Sequence, residues 1–166
     1  MLHSKLTRTF VIGLTLAAPM AFAQGTASSS GSTPKLTCPA GTKQSGNLND
    51  GLYCRKVDAK AGRNDAHGPY ASFFPNGKKS AEGQYVDGFR SGLWTFYNED
   101  GQVRGRTEFQ GGNYHGKHVE YFSNGKQRLV AEYTNGKRNG LVQEFSEDGK
   151  LVSQAQYRDD QQVAAK

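Results

Sequence analysis

Apolar and polar residues alternate with a period of two through most of the chain after residue 66, and glycines interrupt the alternation at regular intervals. Alternation of this kind is typical of half-buried β-strands. Asn-Gly and Asp-Gly pairs are typical of hairpin turns, because these residues tolerate a positive φ. The pattern predicts leading strands at 69–74, 93–98, 117–122 and 141–146 and returning strands at 79–86, 103–110, 127–134 and 151–158.

The predicted hairpins recur every 24 residues. One glycine register is Gly68, Gly92, Gly116 and Gly140, and the turn glycines, each after Asn or Asp, are Gly77, Gly101, Gly125 and Gly149. A second turn carries Gly88, Gly112 and Gly136 in three copies and Asp160 in the fourth. Several positions that hold one spacing over four copies indicate a repeat array.

Two aromatic columns follow the same spacing, Phe73, Tyr97, Tyr121 and Phe145 on the leading strands and Tyr85, Phe109, Tyr133 and Tyr157 on the returning strands. Small residues alternate with these rings, which favours stacking of the rings as a ladder. We therefore expect an all-β fold, an antiparallel meander of about four 24-residue hairpin repeats in a single elongated sheet. One side of the sheet is expected to be dry and the other polar.

The first 23 residues have the pattern of a secretory signal. Lys5 and Arg8 precede a nine-residue apolar segment, and residues 21–23 form an A-x-A cleavage signature. The apolar segment is too short to span a bilayer, which disfavours a membrane anchor. We expect cleavage after Ala23, an exported protein that is periplasmic or secreted, and a flexible polar linker at 24–37.

Residues 38–66 contain both cysteines, Cys38 and Cys54, and few apolar residues. Two cysteines in an exported protein most simply form a disulfide, with a redox-active free pair as the alternative. We interpret this segment as a small disulfide-containing cap that covers the edge of the array. The array is assigned to 67–160 and a polar tail to 161–166.

The number and distribution of charged residues bear on the possible binding partners. Without Lys5 and Arg8 the formal charge falls from +6 to +4, and acidic residues lie among the basic ones, which argues against nucleic acid. Basic residues interleaved with the aromatics, several of them at repeated turns, could instead contact anionic lipids or keep the sheet soluble. They are Lys78, Lys79, Arg90, Arg104, Arg106, Lys117, Lys126, Arg128, Lys137 and Arg138.

No spacing of a catalytic or metal site is present. His115 and His118 are close in sequence, but no carboxylate beside them has the spacing of a known motif. We therefore expect no enzyme activity, no cofactor and no metal. Trp94, with Tyr70, Phe74 and Phe96, is a candidate binding patch on the face opposite the ladder, and the alternative is local packing against the cap.

An aromatic residue followed by glycines three and seven positions later occurs at 85–92, 109–116 and 133–140. This motif resembles the core of MORN repeats (membrane occupation and recognition nexus), and the spaced Asn-Gly and Asp-Gly turns make the chain similar to bacterial MORN-variant proteins in particular. The resemblance covers roughly residues 66–158. It implies a lipid-binding or protein-scaffolding module, some bacterial members being labelled antitoxin-like, and it brings no catalytic residues.

The expected function is that of an exported, non-enzymatic β-repeat scaffold. It would bind another protein through its repeat face or by strand addition at a sheet edge. The alternative is peripheral binding to an anionic membrane surface through the basic turns. The partner, the biological process and the oligomeric state stay open.

Overall fold

The computed structural model describes residues 33–58 and 65–164, so the predicted signal segment lies outside the described residues. The described residues form one antiparallel sheet of eleven strands in which each strand pairs with its neighbours in sequence. The strands are β1 Thr42–Asn47, β2 Gly51–Lys56, β3 Ala66–Phe73, β4 Lys79–Val86, β5 Phe89–Tyr97, β6 Val103–Gln110, β7 Asn113–Tyr121, β8 Gln127–Thr134, β9 Lys137–Phe145, β10 Leu151–Arg158 and β11 Gln161–Val163. The predicted all-β meander in a single sheet is confirmed.

The leading strands begin earlier than the alternation predicted. β5, for example, begins at Phe89 rather than at residue 93. The reason is the turn before it, Asp87-Gly88, where both residues have a positive φ (52° and 84°). Two such residues make the tight hairpin turn whose twist matches that of the strands, so the next strand starts at once.

The fourth copy keeps this turn although it lacks the glycine. Asp159 and Asp160 have φ values of 50° and 67°, and the Asp160 amide donates to the Arg138 carbonyl at 3.0 Å. Aspartate is one of the few residues other than glycine that enters this region readily. The chain consequently continues into β11 within the predicted tail.

The turns at the opposite ends of the hairpins have a different construction. The Phe74 amide donates to the Lys78 carbonyl at 2.8 Å, and Gly77 adopts a φ of 81°. The Asn76 carboxamide oxygen accepts a bond from the Lys78 amide at 2.9 Å, which fixes the loop. The same backbone bonds recur in the loops at 98–102, 122–126 and 146–150. A shift of register accompanies each loop.

These register shifts place the two aromatic columns on opposite faces, so the expectation of a single dry side is wrong. Gly92 lies opposite Phe109 and Trp94 opposite Thr107, whereas Tyr97 lies opposite Val103. Residues directly opposite each other share a face, and alternate residues of a strand point to opposite faces. We call the side with Tyr85, Phe109, Tyr133 and Tyr157 the ladder face, and the side with Phe73, Tyr97, Tyr121 and Phe145 the column face.

The cap extends the sheet instead of forming a separate layer. β2 pairs with β3, and β1 pairs with β2. The Cys38–Cys54 disulfide joins the segment before β1 to β2, and Cys54 and Leu52 are buried. The disulfide therefore ties the segment before β1 to β2, and the pairing of β2 with β3 joins the cap to the array.

Candidate functional site

The ladder face carries at least one aromatic ring on each of six successive strands, β3 to β8. Neighbouring ring centroids are 5.0 to 6.0 Å apart. This distance matches the spacing of adjacent strands and suits edge-to-face contacts between rings. The rings belong, in strand order, to Tyr70, Tyr85, Trp94, Phe109, Tyr114 and Tyr133. The outcome is a continuous aromatic surface, which we call the ladder.

Trp94 is the centre of the ladder and is fully buried. Its ring lies 5.2 Å from that of Tyr70 and 6.3 Å from that of Phe96, and its indole N–H donates to the Gln84 carbonyl at 3.1 Å. The expected position of Trp94, Tyr70 and Phe96 on the face opposite the ladder is therefore wrong, because all three lie on the ladder face. The alternative expectation, local packing, fits the buried Trp94 better. Its ring neighbours, however, belong to the repeat array and not to the cap.

A concave region of about 380 Å³ lies on the ladder face across β5 to β8, and we call it the arginine cleft. Phe96 and Tyr114 contribute rings to its lining, and Thr107 contributes a buried hydroxyl. Its charged and titratable lining residues are Arg90, Arg104, Arg128, His118 and Glu120. These arginines are dispersed among other basic residues in the sequence, and the strand pairing that brings them together is not visible there.

His118 is held between two partners in this cleft. Its Nδ1 lies 2.8 Å from the Thr107 hydroxyl and its Nε2 lies 3.2 Å from a Glu120 carboxylate oxygen. Burial of the imidazole, reinforced by the charge of Arg128, holds the pKa of His118 below its ordinary value, so the ring is neutral at pH 7. Thr107 is only 1% exposed, so this contact with His118 is buried.

The positive charge of the cleft is only partly neutralised. The Arg128 guanidinium pairs with the Glu120 carboxylate. Arg90 and Arg104 form no ion pair with any carboxylate of the described residues. Arg90 instead lies over the Trp94 ring, 4.5 Å from its centroid. The cleft thus combines exposed positive charge with aromatic walls.

Two of the turn lysines are bound to neighbouring hairpins. Lys78 Nζ donates to the Asp100 carbonyl at 2.8 Å, and Lys126 Nζ donates to the Asp148 carbonyl at 2.8 Å. Asn76 and Asn124 form matching amide bonds to the same neighbouring loops. These side chains tie the first copy to the second and the third copy to the fourth.

The described part of the chain contains no group of three or more His, Cys, Asp or Glu residues that could hold a metal ion. Residues 33–58 and 65–164 also contain no helix with the length and apolarity needed to cross a membrane.

Three segments, 66–87, 90–110 and 138–159, match the family model described as MORN repeat variant. They correspond to the first, second and fourth hairpins, and β7 and β8 between them repeat the same architecture. No curated protein matches the chain.

A chain in the crystal structure of a GtfA/B complex bound to UDP and GlcNAc aligns with 12% identity and a TM-score of 0.24. The alignment covers 71% of this chain and 24% of that one, so the present chain spans about a quarter of the solved chain's length. A likeness this weak carries no information about the fold or the function of this chain.

Proposed function

This chain is a member of the MORN repeat variant family and forms a β-sheet scaffold, and on that premise we propose that it binds another protein through the ladder face. The observation that supports the proposal is the ladder itself. Its rings pack edge to face, yet Tyr70, Tyr85, Tyr114 and Tyr133 stay partly exposed because no second layer covers them in the described chain. Aromatic and arginine side chains on a rigid surface are the residues most enriched in protein interfaces.

Site-specific photo-crosslinking compares the two faces directly. A photoreactive amino acid replaces exposed Glu144 on the ladder face or exposed Lys117 on the column face, in cells that make the protein. We expect one defined protein to be captured from position 144 and not from position 117. Equal capture from both positions, or capture from 117 alone, would contradict binding through the ladder face.

A sheet edge is a second candidate surface. β11 pairs only with residues 156–158 of β10, so the outer edge of 151–155 has no strand partner among the described residues. Leu151 and Val152 there are 48% and 67% exposed. An open, uncharged edge accepts an extended peptide by backbone pairing. Val152→Pro removes one backbone donor, and loss of partner capture in that variant alone would favour the edge.

Membrane-surface binding through basic turns is the alternative function. Because Lys78 and Lys126 already bind carbonyls of the next loop, fewer turn charges are free to form a basic row. Co-sedimentation with vesicles containing phosphatidylserine tests this alternative. Binding that disappears as salt is added would favour it over protein binding.

We also propose that the protein is exported and has no catalytic activity. The Cys38–Cys54 disulfide is compatible with an oxidising compartment. Cell fractionation and the intact mass of the mature protein test the export proposal, and the expected mature chain begins at Gln24. A start at Met1 in a cytoplasmic fraction would contradict it.

A further inference from the structure

We propose that the arginine cleft binds carboxylate side chains of an acidic peptide segment, with Arg90 and Arg104 as the binding residues. This inference rests on the proposed function, since it names the chemistry of the partner that the ladder face would accept. The cleft has an aromatic wall, a buried hydroxyl and excess positive charge in one concave region of about 380 Å³.

Arg90 is held in place before any ligand arrives. Its guanidinium carbon lies 4.5 Å from the Trp94 centroid and 5.4 Å from the Phe109 centroid. Both rings are buried and therefore fixed. A guanidinium that stacks on aromatic rings keeps its N–H donors available at the edge, where a carboxylate can take two of them. Little side-chain entropy is then lost on binding.

The remaining groups of the cleft do not neutralise Arg90 and Arg104. Glu120 is the one acidic residue of the lining, and its carboxylate is engaged by Arg128 and lies beside His118. Two guanidinium groups are thus left without a counter-charge from the cleft. A partly enclosed surface strengthens their attraction for an anion relative to open solvent.

The ring walls indicate which anion fits. Phosphate and carboxylate groups can each accept two hydrogen bonds from an arginine guanidinium. Phe96 and Tyr114 also line the cleft, and a free phosphate would leave those rings uncovered. A peptide segment with alternating acidic and apolar residues satisfies both features, because it places carboxylates on the arginines and apolar side chains on the rings.

The test uses the purified disulfide-bonded protein and a fluorescein-labelled Glu-Leu-Glu-Leu-Glu-Leu peptide. Trp94 is the single tryptophan of the chain and contacts Arg90, so its emission reports binding at the cleft. We expect the fluorescein anisotropy to rise to saturation and the tryptophan emission to change as the peptide binds. The affinity should fall as salt is added, and the peptide with Gln in place of Glu should bind about tenfold more weakly. Equal binding of both peptides would overturn the proposal.

Arg104→Gln is the main variant, because Arg104 is exposed and its loss should leave the fold intact, as circular dichroism would show. Arg90→Gln is the second. The matched control is Arg106→Gln, an exposed arginine opposite Thr95 on the column face. We expect about a tenfold loss of peptide affinity for each cleft variant and less than twofold for the control. Equal losses at Arg104 and Arg106 would contradict the cleft.

Competitors separate the sources of the anion. Inorganic phosphate at the peptide's concentration should not displace the peptide, and vesicles with phosphatidylserine should not bind in an Arg104-dependent way. Either result, if observed, would overturn the acidic peptide as ligand. If the peptide fails while crosslinking from position 144 still captures a protein, the proposed function stands and only the acidic chemistry is wrong.

Discussion

The ladder face and the column face both carry an aromatic residue in every copy, yet neighbouring rings form a continuous chain of contacts only on the ladder face. Corresponding leading-strand residues of successive copies lie two strands, or roughly 10 Å, apart. The rings of Phe73, Tyr97, Tyr121 and Phe145 are therefore too far apart to touch each other. On the ladder face, Tyr70, Trp94 and Tyr114 fill the intermediate strands. Residues outside the strict repeat thus build the continuous surface.

Polar contacts take the place of ring contacts on the column face. The Tyr97 hydroxyl donates to the Glu82 carboxylate, which also pairs with Lys79 at 2.6 Å. Burial and the adjacent Glu82 carboxylate raise the pKa of Tyr97 to about 12. Arg106 lies over the Tyr121 ring at 6.0 Å. Continuous ring packing distinguishes the ladder face from the column face, so removing a ring should cost more stability on the ladder face.

Trp94→Ala should have the largest effect. Removing a fully buried tryptophan typically costs about 3–5 kcal/mol, because a cavity remains after the lost burial. The matched column-face change, Tyr121→Ala, removes a half-buried ring and should cost roughly 1–2 kcal/mol. Urea unfolding followed by far-UV circular dichroism measures both. Equal losses would mean that the two faces are packed alike.

Gly83→Ala should come next. A Cβ at residue 83 would overlap the Trp94 ring. We expect about 1–3 kcal/mol of destabilisation from this overpacking. The equivalent pairs between later neighbouring hairpins are Thr107 opposite His118 and Ala131 opposite Val142, so alanine occurs where the facing residue is smaller than tryptophan.

The control for this prediction is the double variant Gly83→Ala with Trp94→Val, which copies the Ala131–Val142 pair between the third and fourth repeats. In the Trp94→Val background, adding Gly83→Ala should cost less than it costs in the natural protein. If urea unfolding shows the same loss of stability from Gly83→Ala in both backgrounds, the destabilisation comes from backbone strain at residue 83 and not from overlap with the Trp94 ring.

The period of 24 residues was sufficient to predict the fold, because the glycines that set it occupy turns and bends that only a few residues tolerate. Gly77 and Gly88, for example, have φ values of 81° and 84°. The assignment of the faces failed at the loops after the leading strands. A bulge in these loops shifts the register of the strand pair. Phe96 lies opposite Gly105, but the next residue, Tyr97, lies opposite Val103, and the residue types do not reveal that shift.

The arginine cleft was not predictable for the same reason. Arg104 and Arg128 are 24 residues apart and share one position of the repeat, whereas Arg90 has another, and only the strand pairing brings all three to one concave region. A repeat in the sequence reveals only the residues that the copies share. The cleft and the centre of the ladder depend on what differs, such as Trp94 where the third copy has His118.

His118 should give the ladder face a pH dependence. Since burial lowers the pKa of His118, the unfolded chain binds a proton near its ordinary pKa of 6.5 that the folded chain still excludes. Stability should therefore fall as the pH decreases from 6.5 towards the lowered pKa. The natural protein should lose more stability between pH 7 and pH 5 than His118→Gln does, measured by urea unfolding. Parallel losses in the two proteins would show that His118 does not titrate differently on folding.

Tyr97→Phe should have the smallest effect and should depend on a different pH range. The substitution keeps the ring and removes the hydroxyl that donates to Glu82, so we expect a loss of about 1 kcal/mol at pH 7. Bonds from Lys79 and Tyr97 hold the pKa of Glu82 below its ordinary value of 4.5. The stability that this carboxylate contributes is present above that pH and is lost as the pH falls through the lowered pKa. The difference between the two proteins should persist from pH 7 to pH 5 and shrink below about pH 4. A difference that stays constant down to pH 3 in urea unfolding would mean that the hydroxyl stabilises the column face without the ionised carboxylate.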